Sequence, residues 1–203
     1  MSLHKALGAL LFSMSAIAFA QPEPRDLETL LEDATAGEMA AQFEIGNRYL
    51  YGDGVEADNF EAVRWFRQAA EQGDNNAQYN LGVMYMQGTG VIADLPQAIE
   101  WFRKAAEQGD PPAQFTIATL YANGRGLPRD PVLAHMWFTL AASGGHQAAA
   151  ANLILFQEIL SDLQISEGQR LARDWVDNFK AAQDAAATPA APEQAANARP
   201  GGR

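Results

Sequence analysis

Four glycines divide this chain at equal intervals. Gly37, Gly73, Gly109 and Gly145 stand 36 residues apart, and the residues between them recur in step. Ala41, Ala77, Ala113 and Ala149 match, as do Tyr49, Tyr85 and Tyr121, and Trp65, Trp101 and Trp137, each followed by Phe. A period of this length marks one supersecondary unit that cannot bury its apolar face alone and must stack on its neighbours. The expected fold is all-α, a stacked helical solenoid without a single compact core. Solenoids bind along an extended surface, so the period bears on function as well as fold.

The second repeat shows the grammar most clearly. From Asn76 to Met86, Ala77, Leu81, Gly82 and Tyr85 fall on one helical face. Gly88-Thr89-Gly90 then breaks the helix. Asp94 is the expected N-cap of a second helix, with Gln97 three residues on in a capping-box arrangement. Ala98, Trp101, Phe102, Ala105 and Ala106 form that helix's apolar stripe, and Gly109 ends it. Asp58 with Glu61, and Asp130 with Pro131, start the corresponding helices of the flanking repeats. Gly46, Gly82 and Ala118 are small enough for the two helices of a pair to approach closely. The repeats span about 37–72, 73–108 and 109–144. Degraded units flank them as caps at 26–36 and 145–180, the latter with Ser166 expected to start its last helix and Gln169 at the box position.

The pattern resembles the Sel-one-like repeat family, relatives of the tetratricopeptide repeat. The resemblance rests on A-Q-Y-N-L-G-x-M-Y-x-x-G-x-G-V-x-x-D at Ala77 to Asp94 and A-x-x-W-F-x-x-A-A-x-x-G at Ala98 to Gly109. It implies antiparallel helix pairs stacked into a right-handed superhelix, and a general role as a protein-interaction scaffold, often in bacterial envelopes. A cysteine-rich subgroup is linked to penicillin binding; this chain has no cysteine and gives that chemistry no support.

The two ends differ from the array. Residues 1–20 read as a secretory signal peptide: Lys5 in a short n-region, an apolar run from Ala6 to Ile17, and Ala18-Phe19-Ala20 before Gln21. The run is well short of the roughly 20 residues that cross a bilayer, so no membrane insertion is expected after cleavage. With no cysteine there is no lipidation site. A soluble periplasmic or secreted destination follows. From 181 to 203 the chain is rich in Ala, Pro, Gln and Gly without apolar periodicity, which predicts a disordered tail after a repeat domain at 26–180. The net charge is −11, which disfavours nucleic acid and anionic lipid as partners.

Features that suggest chemistry have simpler explanations. The loops at Gly52–Gly54, Gly88–Gly90 and Gly124–Gly126 lack the strand and further glycine of a dinucleotide site. His135 and His146 lie in different elements without acids at metal-ligand spacing. Asp58, Asp94 and Asp130 are spent as N-caps. No catalytic residue, cofactor or metal is therefore assigned.

The second face of each first helix is the candidate site. Phe43, Asn47, Leu50 and Tyr51 share it, with counterparts Tyr79, Val83, Met86 and Gln87, then Phe115, Thr119, Ala122 and Asn123. The resemblance places this column in a concave groove. Aromatics interleaved with amides and hydroxyls suit an extended protein or peptide, although Phe43, Tyr79 and Phe115 also suit packing between first helices. The reading is a non-enzymatic periplasmic adaptor or regulator. The alternative is a cell-envelope enzyme or ligand-binding protein, peptidoglycan- or β-lactam-related, which a deep pocket of clustered acids would favour. N-terminal sequencing of the exported protein should find Gln21 first; an intact Met1 in the membrane fraction would contradict the leader assignment.

Overall fold

Aspartates open most helices of this chain and glycines close most of them. The computed structural model describes residues 25–187, so the expected leader at 1–20 and the end of the expected tail lie outside the described residues. The helices are α1 (Leu27–Ala36), α2 (Met39–Tyr51), α3 (Asn59–Glu71), α4 (Asn75–Gln87), α5 (Leu95–Glu107), α6 (Pro111–Asn123), α7 (Pro131–Ser143), α8 (Gln147–Gln157) and α9 (Asp162–Ala187). No strand occurs among the described residues. Each of the first seven helices packs on the next, giving the pairs α2–α3, α4–α5 and α6–α7.

Asp58, Asp94 and Asp130 cap α3, α5 and α7 as expected, and Asp26, Asp74 and Asp110 do the same for α1, α4 and α6. Each such cap is worth about 1 kcal/mol. The box at Asp94 is only half formed. The Gln97 N–H donates to Asp94 at 3.0 Å, but the Asp94 N–H is already bonded to the Tyr85 carbonyl at 2.9 Å. The same tie joins Asp58 to Tyr49 and Asp130 to Tyr121. In each repeat it therefore closes the loop between paired helices.

Glycines supply close approach at two places in the unit. A Cβ on Gly46 or Gly82 would lie 2.8 or 2.7 Å from the ring of Phe66 or Phe102. Those rings are fully buried and lean on Phe43 and Tyr79, with centroids 5.8 and 5.6 Å apart. In the loops, a Cβ on Gly90 would lie 2.2 Å from the Asn59 carbonyl oxygen, so this loop nests on the start of the preceding second helix. The tryptophans look backwards: Trp65 packs with Leu30, Ala34, Ala41 and Ile45, and Trp101 with the cluster of α3 and α4. Phe faces its own pair while Trp seals the pair before.

A polar ladder runs through this core. Gln42, Gln78 and Gln114 are buried, and each donates to the last-turn carbonyl of the preceding second helix, Ala34, Ala70 or Ala106, at 3.1–3.2 Å. Each of these carbonyls also accepts the N–H of Gly37, Gly73 or Gly109 at 3.0–3.1 Å, so the buried amide finds its partner there and ties the helix end to the next first helix. Gln72 and Gln108 donate in turn to Gln42 and Gln78 at 2.7 Å.

The C-terminal unit departs from the expected pair. α9 packs along α7 and not along α8. At the site of Gly46, Gly82 and Ala118 in the period stands Ile154, whose side chain would fill the space a second helix needs. Trp175 instead meets Trp137 edge-on at 6.2 Å, and Phe179 reaches Gly109. Ser166 does not start α9; its hydroxyl donates to Leu163 inside the helix. Ser161 starts it, with a reciprocal box: the Gln164 side chain accepts from the Ser161 N–H at 3.0 Å and the Ser161 hydroxyl oxygen accepts from the Gln164 N–H at 3.3 Å. α9 also continues through Ala187, so the first seven residues of the expected tail are helical. Alanine has the best helix propensity, and the first proline comes only at Pro189.

Adding one methyl at the close crossing of α4 and α5 should overpack it. Gly82→Ala is expected to lower stability by about 1–3 kcal/mol in denaturant titration, and Trp101→Ala by about 3–5 kcal/mol. A neutral Gly82→Ala would show that the crossing is loose.

Candidate partner-binding face

The alternation of faces along α2, α4 and α6 decides what the solvent sees. Ala41, Gln42, Ile45 and Gly46 turn inward, which leaves Phe43, Asn47 and Leu50 half-buried and Tyr51 77% exposed. Tyr79, Val83 and Met86 are half-buried on α4, and Gln87 is exposed; Phe115, Thr119 and Ala122 are half-buried on α6, and Asn123 is exposed. No residue of the predicted column is fully buried. The rings of Phe43, Tyr79 and Phe115 pack against Phe66, Phe102 and Phe138. Their bodies belong to the core of each pair, and Asn47, Tyr51, Gln87, Thr119 and Asn123 are the more available polar members.

The structure brings part of the column together. Met86, Phe115, Thr119 and Asn123 line one cleft of about 240 Å³ with Arg125. A second cleft of about 390 Å³ lies across Thr119 and Asn123, walled on its far side by Leu155 and Phe156 of α8 and by Ile159 in the turn after it, and closed below by Phe138. Phe43, Asn47 and Tyr51 line neither cleft. Arg48, near the edge of the column, bonds to Glu44 and the Arg25 carbonyl, at 3.0 and 2.6 Å.

Leu155 and Ile159 are candidate residues that sequence reasoning missed. They stand one period after Thr119 and Asn123, so continuing the column by 36 finds them. Because α9 leaves α8 uncovered, they are 63% and 69% exposed, beside Ile154 at 64%. The column thus changes along the array, from Asn47 and Tyr51 through Val83 and Gln87, then Thr119 and Asn123, to purely apolar side chains.

Both histidines of the described residues hold α8. At its start the His146 ring accepts the Ala149 N–H through Nδ1 at 3.1 Å, in the place of Asp74 and Asp110, and stacks on Phe115 at 4.5 Å. At its end Gln157 bonds the Nε2 of His135 at 2.9 Å. With the Gln157 amide donating, neutral His135 keeps its proton on Nδ1, which is buried without a partner. Burial lowers the pKa of His135 from the ordinary imidazole value. Burial also pushes the Asp110 carboxyl up, opposed by the Ala113 N–H it accepts and by the charge of His146. Both groups have structural work at helix ends. Among the described residues, no cluster of three or more His, Asp or Glu is placed to hold a metal, and no helix is long and apolar enough to cross a membrane.

Stacked helix pairs with an open first-helix face define a helical-repeat protein of the tetratricopeptide-like class. The sequence matches the Sel1 repeat over residues 40–74, 75–110 and 111–146, and the chain belongs to that family. It is similar to a Sel1 repeat protein from Oxalobacter formigenes, with 43% identity over 64% of this chain and 98% of that one, at a TM-score of 0.60. It is also similar to a protective antigen of uropathogenic Escherichia coli strains displaying an SLR fold. There the identity is 30% over 84% of this chain, the TM-score is 0.69, and this chain spans 37% of the antigen's length. No curated protein matches the sequence.

The buried imidazole predicts a pH effect with a definite sign. Above the ordinary imidazole pKa both folded and unfolded chains hold His135 neutral. As pH falls through it, the unfolded chain takes up a proton that the folded chain refuses, so stability drops. Thermal unfolding between about pH 7.5 and pH 5 should show a loss that is smaller in His135→Ile, the residue found one period earlier at Ile99. An unchanged pH dependence in the variant would remove His135 from the explanation.

Proposed function

We propose that this chain is a non-enzymatic adaptor of the bacterial periplasm that holds a protein or peptide segment against its first-helix face. Sel1 repeat proteins are generally protein-interaction scaffolds, and the leader at 1–20 supports export. The observation that carries the reading is the accessible column itself. It recurs with the period through α2, α4 and α6 and continues onto α8 and the turn after it, where it ends in exposed Leu155 and Ile159. The binding mode is apolar contact from the half-buried rings and apolar side chains, with hydrogen bonds from Asn47, Gln87 and Asn123 to partner backbone.

Tyr51→Ala combined with Asn123→Ala separates binding from folding, because both side chains are exposed. Partner captured from the envelope fraction by the wild-type chain should bind this variant at least tenfold more weakly, since interface aromatics can be worth about 2 kcal/mol or more. Its unfolding temperature should stay near the wild-type value, while Trp101→Ala loses both. Full retention of the partner by the double variant would contradict the proposal.

A further inference from the structure

The third inter-helix loop carries charge that the repeat does not require. Arg125 stands where the earlier repeats have Asp53 and Thr89, and Arg129 where they have Ala57 and Ala93. The loop geometry is shared: Gly52, Gly88 and Gly124 have φ of 72°, 72° and 67°, and Gly54, Gly90 and Gly126 have φ of 74°, 69° and 75°. The fold therefore accepts an acid, a hydroxyl or a methyl at these two places. Arg125 borders the cleft with Met86 and Phe115, and Arg129 borders the cleft with Leu155 and Ile159. The two clefts meet at Thr119 and Asn123. Arg129 uses its Nε–H on the Ala122 carbonyl at 3.2 Å, and neither arginine forms an ion pair among the described residues. In a chain of net charge −11, two uncompensated guanidinium groups beside apolar clefts are a local reversal of sign.

From this complementarity we infer that the occupant of these two adjoining clefts is an acidic-apolar peptide segment. An apolar side chain seats between Phe138, Leu155 and Ile159. Asp or Glu side chains close to it in sequence meet Arg125 and Arg129, and the Asn123 amide bonds the segment's backbone. Apolar contact supplies the anchor, while a guanidinium favours carboxylate by charge and by its paired donors. Rim charges of this kind act chiefly on selectivity and on the association rate. The inference rests on the adaptor reading and narrows it to one end of the array and one partner chemistry.

The test is selection of a random library of end-capped heptapeptides on the immobilised full chain, followed by affinity measurement on variants. Arg125→Thr with Arg129→Ala installs the residues of the second repeat and keeps the loop. Leu155→Ser with Ile159→Ser removes the apolar wall at exposed positions. Selected peptides should combine an apolar residue with Asp or Glu. Their binding should fall at least tenfold on either double variant at unchanged unfolding temperature, and the loss on the arginine variant should shrink in high salt. Replacing their acids by amides should lower binding to the wild type and leave it little changed for the arginine variant. Peptides without acids, peptides that bind both variants at full affinity, or an empty selection would each overturn the inference. Capture of the envelope partner by the wild-type chain, and its loss with Tyr51→Ala and Asn123→Ala, would leave the adaptor reading standing in any of these cases.

Discussion

The contact between a phenylalanine ring and a residue with no side chain, or only a methyl, sets the geometry of this protein. Phe66 and Phe102 lie where a Cβ on Gly46 or Gly82 would come within 2.8 Å, and Ala118 with Phe138 occupies the same place in the third pair. This close approach lets paired helices pack face to face. The tryptophan one residue before each ring then points back into the preceding unit. The buried glutamines complete the joint, because each bonds a last-turn carbonyl of the preceding second helix and so ties one unit to the next. Each repeat is satisfied only by its neighbours, as a one-dimensional stack requires.

The same rule accounts for the open end. With Ile154 where glycine or alanine stands in the other units, α9 lies along α7 and leaves α8 with an uncovered apolar face. That face is continuous with the first-helix column. A steric change at one position of the repeat thereby turns the terminal unit from a closed pair into one wall of a cleft. Histidines hold the two ends of this helix and so position the cleft wall.

Much of this was legible in the sequence because the period repeats each physical demand three times. The aspartate caps, the close-approach positions and the aromatic core follow from residues that recur in phase. The glutamine ladder recurs just as strictly, but a polar residue beside a core alanine does not announce that it is buried until its carbonyl partner is known. Where the period lapses, local signals misled. Ser166-x-x-Gln169 and Ser161-x-x-Gln164 are equally good boxes on paper, and only the path of α9 selects the second. The tail composition suggested disorder from 181, whereas the alanines before Pro189 prolong a helix already begun. Among the site residues, Thr119 and Asn123 meet Met86 and Phe115 in a cleft. Phe43, Asn47 and Tyr51 line neither cleft.

Hydrogen exchange of the captured complex, mapped along the chain, tests most directly that the first-helix column carries binding. Added protection is expected on α6 and α8, over residues 115–123 and 151–159, with smaller changes on α2 and α4. Protection confined to the second helices α3, α5 and α7, with 115–123 and 151–159 exchanging as in the free protein, would contradict it.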